Sequence, residues 1–164
     1  MEYRPAVAAD LRSIRTVASA GWHAAYDEIL GQSAVETTVE TWYSETSLQS
    51  RIESADNEFL VGADAGEIIG FVDGGPTSDG PCEAAVSALY VHPDRWNEGI
   101  GSALLERLFK RFQSAGYDDV WLAVLEDNAV GRAFYESHDF EVHRRQSTEL
   151  PAGSAIELLL THKL

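Results

Sequence analysis

Residues 84 to 125 hold an apolar run, an amphipathic helical stretch and a second apolar run in close succession. "AAVSALYV" reads as a strand that stops at His92-Pro93. Leu104, Leu105, Leu108, Phe109 and Phe112 then recur at helical spacing, and Gly116 stands where a helix C-cap belongs. "DVWLAVLE" reads as a buried strand. A strand–helix–strand unit of this kind closes as a crossover between parallel strands, right-handed by rule. The fold class that follows is α/β with a mixed sheet.

The remaining elements are arranged around that unit. "YRPAV" reads as a short first strand. From Asp10, the residues Leu11, Ile14, Val17 and Ala18 recur at helical spacing. Gly21 is expected to interrupt, with "WHAAYDEIL" continuing to Gly31. A second helical stretch is expected over roughly 33–54, with Val35, Val39, Trp42 and Tyr43 inward. Apolar runs from Phe59 to Ala63 and from Ile68 to Val72 flank Asp64-Ala65-Gly66, a hairpin signal. "TSDGPCE" is a loop and "NAVGRAFYESH" a short helix. "FEVHRRQSTEL" and "AIELLLTHKL" are closing strands joined by Pro151-Ala152-Gly153. The predicted order is strand, two helices, three strands, helix, strand, helix, two strands, in one domain over 1–164.

Composition narrows the setting. A chain of 164 residues is long enough to bury about 70% of its unfolded surface. Hydrophobic residues make up 45% of it, which excludes a disordered chain. No apolar run nears the ~20 residues that span a bilayer, so no membrane role is expected. The first fifteen residues carry charge early and are not a signal peptide. Cys82 is the only cysteine and the five histidines show no ligand spacing, so neither disulfides nor a metal site is expected. A cytoplasmic protein is the natural reading. Asp and Glu number 27 against 12 Lys and Arg, giving a net charge of -15, and only Lys110 and Lys163 are lysines. An acidic, lysine-poor surface suits a halophilic cytoplasm, since near 1 M salt the Debye length is only ~3 Å. The alternative is an ordinary acidic cytosolic protein. Either way nucleic acid is not expected as a partner, because phosphate binding needs a basic face.

Gly99 and Gly101 sit at the mouth of the amphipathic helix, in "RWNEGIGS". A helix N-terminus carries about half a positive charge and several unpaired N–H groups. Glycines there let the backbone curl and let a bulky anion approach. The segment reads as a phosphate cradle; a glycine-softened turn with no ligand is the other reading. Neither common nucleotide fingerprint, G-x-G-x-x-G or Gly-Lys-Ser/Thr, is present.

"LYVHPDRWNEGIGSALLERL" resembles the acyl-CoA-binding motif of the GNAT N-acetyltransferase superfamily: a strand, a Pro-containing turn, then Gln/Arg-x-x-Gly-x-Gly/Ala opening a helix. "NAVGRAFYESHDFEV" is similar to the next family motif, and "YRPAVAADLRSI" with "GWHAAYDEIL" looks like the opening of many small members. The resemblance covers essentially the whole chain. It implies a mixed sheet of about seven strands with about four helices, splayed between the fourth and fifth strands. It implies acetyl-CoA as co-substrate, no metal, and acetyl transfer to a primary amine by direct attack in a ternary complex. The acceptor would be a small-molecule amine or a peptide: a protein N-terminus or lysine. A non-catalytic acyl-CoA-binding domain is the third reading. Homodimers are common in the family, but nothing in the sequence specifies an interface.

The resemblance also assigns residues. The diphosphate would rest on main-chain N–H groups of Trp96, Asn97, Glu98, Gly99, Ile100, Gly101 and Ser102, with Arg132 or Arg95 as an added cation. Trp96 stands where Gln or Arg is usual, so any polar contact of that side chain is lost. Leu89, Tyr90 and Val91 would pair with the pantetheine arm as an added strand. The N–H of Leu89 or Tyr90 would face the thioester oxygen. Tyr135 matches the tyrosine that protonates the departing thiolate, and Asn128 would cap its helix and touch the pantetheine amides. Many members carry a catalytic Glu near Ala85. Here Glu83, two residues earlier, is the candidate base, and it points the same way absent a bulge; ordered water is the alternative. Trp22 and Tyr26, with His23 between them, fall where the acceptor site is walled, and aromatics there either box an amine or pack the helix. Asp139 replaces a usual Gly and reads as structural.

Overall fold

The apolar runs form β1 (Glu2–Pro5), β2 (Glu58–Asp64), β3 (Glu67–Pro76), β4 (Ala84–Val91), β5 (Asp119–Leu125), β6 (Glu141–Leu150) and β7 (Gly153–Lys163) in a computed structural model describing residues 1–164. They make one sheet in the order β1-β2-β3-β4-β5-β7-β6. All neighbours are antiparallel except β4 and β5. That parallel junction is held by one residue pair, Ala85 with Trp121, so beyond it the two strands part. The mixed, splayed sheet agrees with the expectation from sequence.

Five helices cover the sheet, not four: α1 (Leu11–Leu30), α2 (Gln32–Trp42), α3 (Glu45–Glu53), α4 (Ile100–Ser114) and α5 (Ala129–Ser137). Ile14, Val17, Val35 and Leu48 of α1–α3 pack with Phe71 on one face. On the other, Leu104, Leu105, Leu108 and Phe112 of α4 pack with Val72, Val120 and Leu122. Helix α4 ends in a Schellman motif, in which Tyr117 N–H reaches Phe112 O at 3.1 Å and Gly116 N–H reaches Gln113 O at 3.0 Å. The ring of Tyr117 closes on Phe112, the apolar contact that accompanies this cap.

Three local expectations are corrected. Gly21 does not interrupt α1, which runs unbroken from Leu11 to Leu30. A Cβ there would lie 2.9 Å from Cδ1 of Tyr90, so the glycine lets the helix lie close on β4. The stretch expected as one helix is two, because Ser44 restarts the chain as an N-cap, its Oγ accepting from Ser47 N–H at 3.2 Å. Trp42, expected inward, is 37% exposed, whereas Val35, Val39 and Tyr43 are buried.

Candidate active site

The turn into α4 is built to leave its amides free. Pro93–Arg95 forms a single 3₁₀ turn capped by Nδ1 of His92, which accepts from Asp94 N–H at 3.2 Å. Asn97 (φ 66°) and Gly99 (φ 81°) then take left-handed conformations. Gly99 is the helix N-cap, and the first helical bond is Ala103 N–H to Gly99 O at 3.0 Å. The N–H of Trp96, expected in the cradle, is spent on Pro93 O at 3.3 Å, whereas none of the N–H groups from Asn97 through Ser102 has an acceptor within the protein. Consecutive unpaired amides at a helix N-terminus form a nest that favours an anion. The residues present therefore fit a diphosphate held by main chain.

Trp96, the departure from the family pattern, has a defined place. Its indole Nε1–H donates to Val91 O at 2.8 Å, tying the cradle to the end of β4. Arg95 is engaged by Glu98 at 2.9 Å and Asp64 at 3.0 Å, which draws the Glu98 carboxylate to its guanidinium. Arg132 donates to Glu126 O at 3.0 Å, at the first turn of α5. Phe134 of α5 packs over Gly101, and Ser102 Oγ lies 2.9 Å from His138 Nε2, so α5 is fastened to the start of α4.

The edge of β4 facing the gap follows from the ladder. His92 N–H bonds Ile69 O on β3, so in antiparallel alternation Tyr90 also turns its amide to β3. Leu89 and Val91 turn theirs into the gap. Of the two candidate thioester-oxygen donors, Leu89 has its N–H aimed there. A β-bulge at Ser87, between Val86 and Ala88, lies just upstream. Glu83 precedes β4, is exposed, and gives its carbonyl to Thr77 N–H at 2.8 Å.

Tyr135 sits on α5 against Phe140, with ring centroids 5.6 Å apart, and its hydroxyl makes no hydrogen bond within the protein. Burial, reinforced by Tyr26 and Tyr43, pushes its pKa above the ordinary phenol value, so the hydroxyl is held protonated. Asn128 caps α5, accepting from Gly131 N–H at 2.9 Å, and donates through Nδ2 to the Tyr26 hydroxyl at 2.9 Å. Burial pushes Tyr26 up to about 12, opposed by that bond. Trp22 and Tyr26 are 4% and 5% exposed, in an aromatic cluster with Tyr43 and Tyr90. That placement is helix-packing core.

Beside the splayed junction lies a cleft of about 610 Å³. Ala85, Ser87 and Trp121 line it from the sheet, and Arg51, Asp56 and Asp79 from its rim. Arg51 is locked to Asp73 by two bonds of 2.6 and 3.0 Å, and its guanidinium lies 5.2 Å from the Tyr43 ring centre. The Trp121 indole N–H is buried without an acceptor. Arg51, Asp73 and Trp121 were missed by sequence reasoning: the ion pair joins residues 22 apart, and nothing in "DVWLAVLE" separates a wall from a core tryptophan.

Comparisons with known proteins agree with this geometry. A family model described as Acetyltransferase (GNAT) family matches residues 22–140. The spermidine N(1)-acetyltransferase of Thermoplasma acidophilum is 27% identical over 146 residues, 87% of this chain and 89% of that protein. The [ribosomal protein bS18]-alanine N-acetyltransferase of Escherichia coli is 40% identical over 58 residues, 35% of this chain and only 39% of that one. The crystal structure of PaiA N-acetyltransferase from Thermoplasma acidophilum in complex with coenzyme A has a TM-score of 0.86 at 24% identity, covering 99% of this chain and 98% of that one. With the motif segment, the cradle and the sheet junction all inside or beside the matched span, the chain belongs to the GNAT acetyltransferase family.

Proposed function

We propose that this chain transfers an acetyl group from acetyl-CoA to a primary amine by direct attack within a ternary complex. The observation that carries the reading is the run of unpaired amides from Asn97 to Ser102, set beside a sheet that parts after one residue pair. The cradle holds the diphosphate, and the Leu89 edge of β4 pairs with the pantetheine arm. Acetyl-CoA supplies an activated thioester at the gap. The Leu89 N–H stabilises negative charge developing on its oxygen. Tyr135, protonated and without an internal partner, gives its proton to the leaving sulfur.

The incoming ammonium, with a pKa near ~10.4 for a lysine-like amine, must lose a proton. Glu83, or a water ordered in the cleft, accepts it. Asp56 and Asp79 on the rim, with Arg51 already neutralised by Asp73, make the cleft attractive to a cation. Likeness to a spermidine acetyltransferase over most of both chains supports a small amine. A second reading, a peptide N-terminus, draws on the shorter match to an alanine N-acetyltransferase. Thiol release from acetyl-CoA, assayed in high KCl with polyamines, amino-acid amines and short peptides, tests both. Turnover with an amine or a peptide selects the acceptor class. Acetyl-CoA binding without turnover on any acceptor would leave only a binding domain.

A further inference from the structure

Several helical hydroxyls in this chain return to their own helix. Those of Thr16, Thr37, Thr38 and Thr41 each donate to the carbonyl four residues back. Ser102, in the first turn of α4, does not. Its hydroxyl has one partner, the imidazole of His138, with Oγ 2.9 Å from Nε2. The Cα–Cβ bonds of a helix tilt toward its N-terminus. Oγ therefore stands beside the free amides that run from Asn97 to Ser102.

His138 is held for this contact. It directly follows α5, and its main-chain N–H bonds Tyr135 O at 3.0 Å. Its ring lies 4.7 Å from that of Phe134, centre to centre. Phe134 in turn closes on Gly101, where an added Cβ would lie 3.3 Å from Cε1 of the ring. One aromatic wedge thus touches both sides of the Ser102–His138 link. The two arginines expected at the cradle are committed elsewhere, Arg95 to Glu98 and Asp64, and Arg132 to Glu126 O. Holding an anion there falls to uncharged donors, and Ser102 is a side chain placed to be one. A hydroxyl has a single hydrogen to give. With a bare Nε2, Ser102 donates to the ring and turns only lone pairs to the cradle, which repels an anion. With a hydrogen on Nε2, the ring donates to Oγ, and the Ser102 O–H is free for a phosphate oxygen. The partners of a histidine ring decide which nitrogen carries the hydrogen.

We infer that His138 is a positioning residue for acetyl-CoA: in the complex its Nε2–H donates to Ser102 Oγ and so aims the Ser102 hydroxyl at the diphosphate. The inference rests on the diphosphate cradle proposed above and adds one side-chain donor to its main-chain amides. Hydrogen bonds in such a chain polarise one another, so the imidazole strengthens the bond that Ser102 makes.

Calorimetry with acetyl-CoA on the full chain at fixed salt tests it. Ser102→Ala is expected to raise Kd about tenfold, the worth of a hydrogen bond to a charged group. His138→Leu keeps the bulk of the ring and is expected to raise Kd about threefold or more. His138→Gln, whose amide can donate from the place of Nε2, is expected to stay within about twofold of wild type. In the Ser102→Ala background His138→Leu adds nothing further, since its effect passes through Oγ. Ring nitrogen-15 spectra of the wild-type complex, with His138 assigned by the signal lost in His138→Gln, show Nε2 bearing a hydrogen. A bare Nε2 in the complex overturns the inference. So does a cost of His138→Leu that is the same with and without the Ser102 hydroxyl, which would mark the ring as packing alone. Wild-type binding with His138→Leu unaffected sinks this inference and leaves the cradle standing. No binding by the wild type sinks the cradle and the inference together. Circular dichroism of each variant separates lost binding from lost folding.

Discussion

The Tyr135 side chain is half-buried, its hydroxyl has no partner within the protein, and its raised pKa holds it protonated, the state a proton donor needs. Tyr135→Phe is expected to lower kcat at least tenfold while acetyl-CoA affinity, measured by calorimetry, stays nearly constant, since such proton transfer is worth about 10²–10⁴-fold. Because its pKa is raised, its ionisation should not cut the rate until the pH passes the usual phenol value of about 10. Asp10 works in the opposite sense. Hydrogen bonds from Arg4, at 2.7 and 2.9 Å, and from Val7 N–H lower its pKa against the cost of burial. Its folded pKa lies below the unfolded value, so its stabilisation is complete above about pH 3.9 and is lost as pH falls through the depressed value. Asp10→Asn should cost about 1 kcal/mol at neutral pH and flatten the acid limb of stability, read from denaturation midpoints across pH. Neither environment was legible in the sequence. Tyr135 could be named from its motif, but its burial, like the bond from Trp96 to Val91, depends on elements that meet only in three dimensions.

The α4 entrance is the element on which ligand binding turns. Gly99 at φ 81° allows the nest to form, and a β-branched side chain resists that conformation. Gly99→Val is expected to destabilise the fold by about 1–2 kcal/mol and to raise the acetyl-CoA dissociation constant at least tenfold, measured by calorimetry at fixed salt. This element was legible almost residue by residue, because the strand, the glycines and the leucine spacing lie within one continuous segment. Helices α2 and α3 were less so. Their separation is set by the Ser44 cap and by the Trp42 carbonyl, which accepts from Ser47 Oγ at 2.9 Å and from Arg51 at 3.2 Å. Periodicity sees apolar positions and passes over such a break. Gly21 misled in the other direction: propensity treats glycine as a breaker, but here contact with Tyr90 decides.

Across the whole molecule, charge and topology set different properties. With 27 acidic against 12 basic residues, self-repulsion works against the folded state at low salt. The unfolding midpoint is expected to climb as KCl rises from millimolar to molar, and a midpoint independent of salt would remove the halophilic reading. Strand number and the splayed junction were anticipated. The order β5-β7-β6 was not, because periodicity carries no information on which neighbour a strand chooses. The lone Ala85–Trp121 pair has a mechanical consequence. Two half-sheets meet at a single stitch, so the seam can breathe while each half stays rigid. A thioester arm lying in the seam would act as its clasp. Deuterium uptake at the amides of Leu89 and Val91 should therefore be quick in the free enzyme and slow with acetyl-CoA, while uptake across β2 and β3 stays the same.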